Sequence, residues 1–336
     1  MTIQKTVIIA EAGVNHNGHL NEALGLVDAA AEVGADIVKF QTFTADQIVT
    51  PSAVKATYQK AMTNSQESQM NMLRKLELSH SDHLAVIEHC QMRGIGFLST
   101  GFDIESVDML VGLGIDRIKI PSGEITNLPY LRHIGGLGLP VILSTGMANL
   151  EEVSSALELL LEAGMRKEDV TILHCTTEYP APMIDVNLQA MVAMRNEFGV
   201  NVGYSDHTLG HEVAVAAVAL GARVIEKHLT LDNSAAGPDH AASLEPNKFG
   251  DMVRAIRNIE RALGNGIKVP RPSEISNMAV ARKSLVAVGF IQEGERFTPL
   301  NIAAKRPGSG LSPMLWDVVL GQEAKRDFAP NELIEL

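Results

Sequence analysis

Cysteine is nearly absent from this chain, with only Cys90 and Cys175 in 336 residues. Two thiols support no disulfide framework, so a reducing cytoplasm is the expected setting. Basic residues are also in deficit: 28 Lys and Arg stand against 40 Asp and Glu, a net charge of −12. Nucleic acid and anionic membrane both require a basic footprint, so neither is expected as a main partner. An anionic small molecule stays open, since a few local lysines outweigh a distant acidic surface. Long apolar runs are missing as well, and none approaches the roughly 18 residues of a membrane span. The opening "MTIQKTVIIAEAG" is broken by Glu11 and too short for a signal peptide. No G-x-G-x-x-G follows a strand pattern, which argues against a dinucleotide fold.

What is present is a normal globular balance, 46% apolar and 20% charged. The length suggests about two domains. Eight short β-branched runs recur: "TVIIAEAG" (6–13), "DIVKFQTF" (36–43), "IGFLSTGF" (95–102), "DRIKIPSG" (116–123), "VILSTG" (141–146), "DVTILHCTTEYP" (169–180), "VNVGYSDH" (200–207) and "ARVIEKHLT" (222–230). Between them lie amphipathic stretches such as 21–34, 106–114 and 150–164, apolar at three- and four-residue spacing. Strands alternating with helices indicate parallel βαβ units, and eight of them predict an α/β protein of the (β/α)8 TIM-barrel class. Residues 44–80 form a long excursion, expected as a lid or substrate wall. Residues 1–265 are read as the barrel domain, 266–282 as a Gly/Pro-rich linker and 283–336 as a small second domain. The last is too small for a large core of its own.

Barrel chemistry sits at the C-terminal ends of the strands. Those ends carry Glu11, Asn15 and His16; Lys39 and Gln41; Ser99 and Thr100; Lys119, Ser122 and Glu124; Ser144 and Thr145; Thr177, Glu178 and Tyr179; Ser205, Asp206 and His207; Glu226 and His228. His207 and His228 end adjacent strands, about 4.8 Å apart, so both imidazoles can serve one divalent Mn, Zn, Fe or Co ion. Each could instead only hydrogen-bond within the mouth. Glu11, across the barrel closure, is placed to hold a metal-bound water. Lys39 and Lys119, with Ser122, Ser144, Thr100 and Gln41, suit a phosphate or carboxylate. A barrel lysine can also act as a Schiff-base nucleophile. A Lewis-acid metal, an anionic ligand and carboxylates together suggest carbon–carbon bond formation onto a carbonyl, or its reverse. Asp206 is read as orienting a neighbouring imidazole.

The segments "AEAGVNHNG", "VKFQTF", "KIPSGEITNLPYL", "STGMA", "HCTTEYPAP", "GYSDHT", "EKHLTLD", "GPDHAASLEP" and "KRPGSG" resemble, in order, the sialic acid synthase family. That resemblance implies a TIM barrel followed by a C-terminal antifreeze-like (SAF) domain, in a homodimer with swapped C-terminal domains. It implies condensation of phosphoenolpyruvate with an N-acylated mannosamine-type sugar, N-acetylmannosamine or, as in legionaminic acid synthases, 2,4-diacetamido-2,4,6-trideoxymannose. Metal ligands carry over to His207 and His228, with Mn2+ expected first and Mg2+ or Co2+ as alternatives. The phosphoenolpyruvate pocket carries over to Lys39, Gln41, Thr100, Lys119, Ser122, Ser144, Thr177, Tyr179 and Ser205. Glu11 and Asp239 are implied at the metal-bound water and the sugar hydroxyls, and Glu124 as the acid activating water. Arg306 is implied to reach the sugar's N-acyl group from the partner subunit. One departure is "STGF" where many relatives read S-T-P-F, so Gly101 is expected to loosen that loop. The rival readings are a Schiff-base pyruvate aldolase and a non-catalytic carbohydrate-binding protein.

Overall fold

The computed structural model describes residues 5–56, 59–60, 63–64 and 66–336, in two compact units, Met1–Asn265 and Gly266–Leu336. In the first, eight parallel strands close into a barrel in sequence order: β1 Val7–Gly13, β2 Ile37–Thr42, β3 Gly96–Gly101, β4 Ile118–Ile120, β5 Val141–Ser144, β6 Val170–Cys175, β7 Asn201–Asp206 and β8 Val224–His228. Each falls inside one of the eight β-branched runs. The amphipathic stretches become helices, among them Leu20–Glu32, Ile104–Gly112 and Leu150–Glu162. The last begins at a capping box: Asn149 Oδ1 accepts from the Glu152 amide and Glu152 Oε2 from the Asn149 amide, both at 2.9 Å.

Side-chain alternation with period two decides what fills the barrel. Its lower interior is an apolar layer of Ile9, Ile37, Leu98, Ile142, Leu173 and Val224. Two residues further along those strands stand Glu11, Lys39, Thr100, Ser144, Cys175 and Glu226. The same face that packs the core therefore carries the chemistry one layer up. Residues between them point outward into larger clusters under the helices, as Ile8 and Ala10 do.

Gly101 is not a loosening element. It ends β3 in register with Thr42, and its carbonyl accepts from the Tyr130 hydroxyl. A Cβ there would stand 2.7 Å from Val107 Cγ2 and 2.9 Å from the Val107 amide nitrogen. The glycine thus permits close approach of the following helix.

In the excursion at 44–80, the described residues include helices Ala45–Ile48 and Gln69–Arg74. Thr57, Tyr58, Ala61, Met62 and Ser65 lie outside the described residues.

In the second unit, β9 Ser284–Ala287 pairs antiparallel with β10 Ile302–Lys305. Leu285, Ile291, Phe297, Ile302, Phe328 and Ile334 form its small core. The stretch 266–282, read as a linker, contains the helix Pro272–Ala281, which has no buried residue. No helix among the described residues is long and apolar enough to cross a membrane.

Candidate active site

A cavity of about 720 Å³ opens at the C-terminal ends of the strands. Its lining brings together Glu11, Lys39, Gln41, Thr100, Lys119, Ser122, Ser144, Thr177, Tyr179, Ser205, His207 and His228, twelve of the residues singled out in the sequence. Strand register sets their neighbours: Glu11 lies beside Lys39 on one side and His228 on the other, Gln41 beside Thr100, Thr100 beside Lys119, and Ser205 beside Glu226. At the opposite end of the barrel a cavity of about 630 Å³ is lined by the ion pairs Lys5–Asp36 and Arg117–Asp116 and holds none of these residues.

Two buried ammonium groups occupy the floor. Lys39 Nζ is 2.7 Å from Glu11 Oε2, donates to Thr100 Oγ1 at 2.9 Å and lies 3.6 Å from Glu226 Oε2. Lys119 Nζ donates to Ser144 Oγ at 2.6 Å and lies 3.7 Å from Glu226 Oε1, which also accepts from Ser205 Oγ at 3.0 Å. Glu226 is therefore the hub of the floor. Burial pushes it up, but Lys119 and Lys39 outweigh that and hold it down at about 2. Glu11 goes the other way: burial raises it to about 7 against the pull of Lys39. With Glu226 ionised and Glu11 able to hold a proton near neutrality, the two lysines leave the floor net positive. That floor suits an anion.

Gly146 shapes the wall beside it. Its amide donates to Ser122 Oγ at 3.0 Å, and a Cβ there would stand 2.1 Å from Thr177 Oγ1 and 3.1 Å from Cys175 Sγ. Burial pushes the Cys175 thiol up, so it is a packed neutral group rather than a nucleophile.

The histidines meet with ring centroids 5.4 Å apart, and Tyr179 lies 4.2 Å from the His207 ring. His207 Nδ1 donates to the Thr176 carbonyl at 2.7 Å, which fixes the tautomer and leaves Nε2 with its lone pair. His228 Nδ1 is buried with no hydrogen-bond partner. Burial depresses both imidazoles, strongly for His228, so both stay neutral near pH 7. His207 Nε2 lies 3.5 Å from Ser205 Oγ, and two neutral imidazoles that each keep a ring nitrogen lone pair fit a divalent cation. Among the described residues no group of three or more His, Cys, Asp or Glu is arranged to hold a metal. A cation on this pair would need oxygens from water or substrate.

Asp239, Glu124 and Arg306, whose roles the family resemblance implies, lie elsewhere than on the cavity lining. Asp239 is buried, and a Cβ at Gly13 would stand 3.4 Å from Glu11 Oε1, 3.4 Å from Gln41 Nε2 and 3.6 Å from Asp239 Oδ2, so these three polar ends converge. Burial raises Asp239 to about 6, opposed by Lys39. Glu124 follows the wall residues Ser122 and Gly123, with its carboxylate accepting from Asn127 Nδ2 at 2.6 Å. Arg306 belongs to the second unit, exposed, with Nε donating to the Ala281 carbonyl at 3.2 Å.

Sequence reasoning gave Glu226 no role, although its place two residues before His228 put it on the same inward face. Asp206 was read as orienting an imidazole. Instead it points outward, pairing with Lys227 at 2.9 Å and accepting from the Thr208 amide and hydroxyl at 2.9 and 2.7 Å. The Thr176 carbonyl orients His207. Phe102, Met147, Gln59 and Gln69 also line the cavity, and the last two come from the long excursion, which so forms part of the wall.

Comparison with known proteins bears on this geometry. Residues 26–268 match the NeuB family and residues 282–335 the SAF domain. The chain is 52% identical to an N,N'-diacetyllegionaminic acid synthase of Campylobacter jejuni, over 99% of both chains. It is 47% identical to the N,N'-diacetyllegionaminic acid synthase of Legionella pneumophila, over 96% of this chain and 91% of that one. A crystal structure of N-acetylneuraminic acid (sialic acid) synthetase from Leptospira borgpetersenii superposes with a TM-score of 0.72. It shares 33% identity and covers 82% of this chain and 91% of its own. A barrel with this mouth, followed by an SAF domain and matched at this identity over nearly its whole length, belongs to the NeuB family.

Proposed function

We propose that this chain condenses phosphoenolpyruvate with an N-acylated mannosamine-type sugar and water, giving a nonulosonic acid and phosphate. The observation that carries the reading is the net-positive floor of Lys39 and Lys119 set beside two neutral imidazoles and a carboxyl raised to about 7. Of the two acceptors, 2,4-diacetamido-2,4,6-trideoxymannose is favoured over N-acetylmannosamine. Identity to the two diacetyllegionaminic acid synthases is 52% and 47%, against 35% to the human N-acetylneuraminate-9-phosphate synthase.

In this reading Lys39, Lys119, Thr100, Ser122, Ser144, Thr177, Ser205 and Gln41 bind the phosphate and carboxylate of phosphoenolpyruvate, and Tyr179 closes one side. A divalent cation on His207 and His228, Mn2+ before Mg2+ or Co2+, would supply Lewis acidity toward the aldehyde oxygen of the open-chain sugar. Carbon 3 of phosphoenolpyruvate attacks that aldehyde, and Glu11 holds a proton beside the oxygen that becomes a hydroxyl. The cationic centre left at carbon 2 is stabilised by ionised Glu226. Water adds there with help from Glu124, and phosphate leaves by C–O cleavage. Asp239 positions sugar hydroxyls beside Glu11, and Arg306 of the partner subunit reaches the N-acyl group in a swapped homodimer. A cytoplasmic setting matches that of a biosynthetic enzyme.

A Schiff-base aldolase is the competing chemistry, because burial depresses Lys119. Borohydride with pyruvate would label a lysine only in that case. The condensing reading expects no label, and sugar-dependent phosphate release that disappears in His207→Ala and His228→Ala.

A further inference from the structure

Ser205, Glu226 and His228 of β7 and β8 line the site, yet the two strands also carry a charged pair on their outer face. Asp206 and Lys227 stand directly opposite each other in the ladder. Each lies between two inward residues: Asp206 between Ser205 and His207, Lys227 between Glu226 and His228. Both side chains are wholly buried, with Lys227 Nζ 2.9 Å from Asp206 Oδ2.

The remaining bonds of the pair end on one turn. Asp206 Oδ1 accepts from the Thr208 amide and hydroxyl, and Lys227 Nζ donates to the Thr208 carbonyl at 2.5 Å. The turn 206–208 is thus clamped on both sides of His207, and the clamp is anchored on β8 beside His228. A buried ion pair is not a cheap way to hold strands together. Apolar side chains of similar volume usually serve the fold as well or better, because desolvating two charges offsets their attraction. What the pair supplies beyond packing is direction. Its donors and acceptors fix the backbone at His207 relative to the backbone at His228 through hydrogen bonds of defined geometry.

We infer that Asp206 and Lys227 are positioning residues that set the separation of the two imidazoles from behind, and so the affinity of the site for a divalent cation. The inference rests on the reading that His207 and His228 hold that cation. Neither residue lines the cavity. Outer partners of metal-binding histidines typically matter about 10- to 100-fold in affinity. Here the partner acts through the backbone rather than on the ring.

The test is Mn2+ binding to the metal-free full-length protein without substrates, read from the electron paramagnetic resonance signal of free Mn2+. Parent, Asp206→Leu/Lys227→Leu and His207→Ala are compared, with folding checked by circular dichroism and thermal melting. The double variant leaves the buried Thr208 amide, hydroxyl and carbonyl without these partners, so it is expected to fold, melt below the parent and bind Mn2+ about tenfold or more weakly. A folded double variant that binds Mn2+ as tightly as the parent, while His207→Ala does not, overturns the positioning role and leaves the metal reading intact. Retained binding by His207→Ala overturns the metal reading itself, and the inference with it. Should the double variant fail to fold, Asp206→Asn takes its place, since it keeps the side-chain shape and removes the charge. It is expected to weaken Mn2+ binding several-fold, and parent-like affinity overturns the proposal.

Discussion

Glu11 and Glu226 are the same residue type in one cavity, and their surroundings drive them apart. Glu226 faces both lysines and stays ionised; Glu11 is raised to about 7 and shares its proton with solvent near neutrality. A split of this kind assigns roles, with the raised carboxyl as the proton donor. A donor must be protonated to act, so kcat/KM is expected to fall as pH rises through about 7. Glu11→Gln keeps an amide in the same place but has no proton to give. Its steady-state pH profile should lack that limb, at a cost of about 10²- to 10⁴-fold in kcat. A Glu11→Gln enzyme with parent-like kcat would remove Glu11 from proton transfer. Glu226→Gln separates a different function: it unbalances Lys39 and Lys119, so phosphoenolpyruvate binding should change as well as turnover, read as a KM against kcat split.

At the scale of elements, the barrel owes its site to alternation along the strands. Ile9 packs the core and Glu11 caps it; Leu98 and Thr100, Ile142 and Ser144, and Leu173 and Cys175 repeat the arrangement. This is why strands, helices and most of the site were legible in the sequence. The runs carry both period and polarity, and a polar residue at the end of an inward-facing row has only the mouth to face. The same rule, applied strictly, turns Glu226 inward beside the two lysines and Asp206 outward. Asp239 and Arg306 were not legible that way. One lies in the loop after β8 and the other in the second unit, where spacing says nothing about spatial neighbours. Gly101 was misjudged because a glycine in a sequence advertises freedom, whereas here it marks a close contact. Gly101→Ala pushes a methyl into the Val107 backbone, and overpacking of this kind costs about 1–3 kcal/mol. Denaturant unfolding should show that loss, and unchanged stability would mean that the helix Ile104–Gly112 shifts freely.

At the scale of the whole molecule, the proposed swap of C-terminal domains makes a sharp expectation. Arg306→Ala and His207→Ala chains are each expected to be inactive alone. In a swapped heterodimer, the barrel with intact His207 receives Arg306 from the other chain, and one complete site is restored. Random re-association of equal amounts makes half the dimers mixed, so about a quarter of parental activity should return. No recovery after verified subunit exchange would place Arg306 in its own chain's site or in none.

In the proposed reaction this barrel joins the enolpyruvyl carbon to a sugar aldehyde and releases phosphate. The most direct measurement is phosphate release from phosphoenolpyruvate labelled with 18O at the bridging oxygen. It should be run with Mn2+ against 2,4-diacetamido-2,4,6-trideoxymannose, N-acetylmannosamine and N-acetylmannosamine 6-phosphate. The expected result is release that depends on the sugar, is fastest with the diacetamido sugar, and carries the label into phosphate by C–O cleavage. Release without any sugar, label retained in the organic product, or no release with all three sugars would contradict the account.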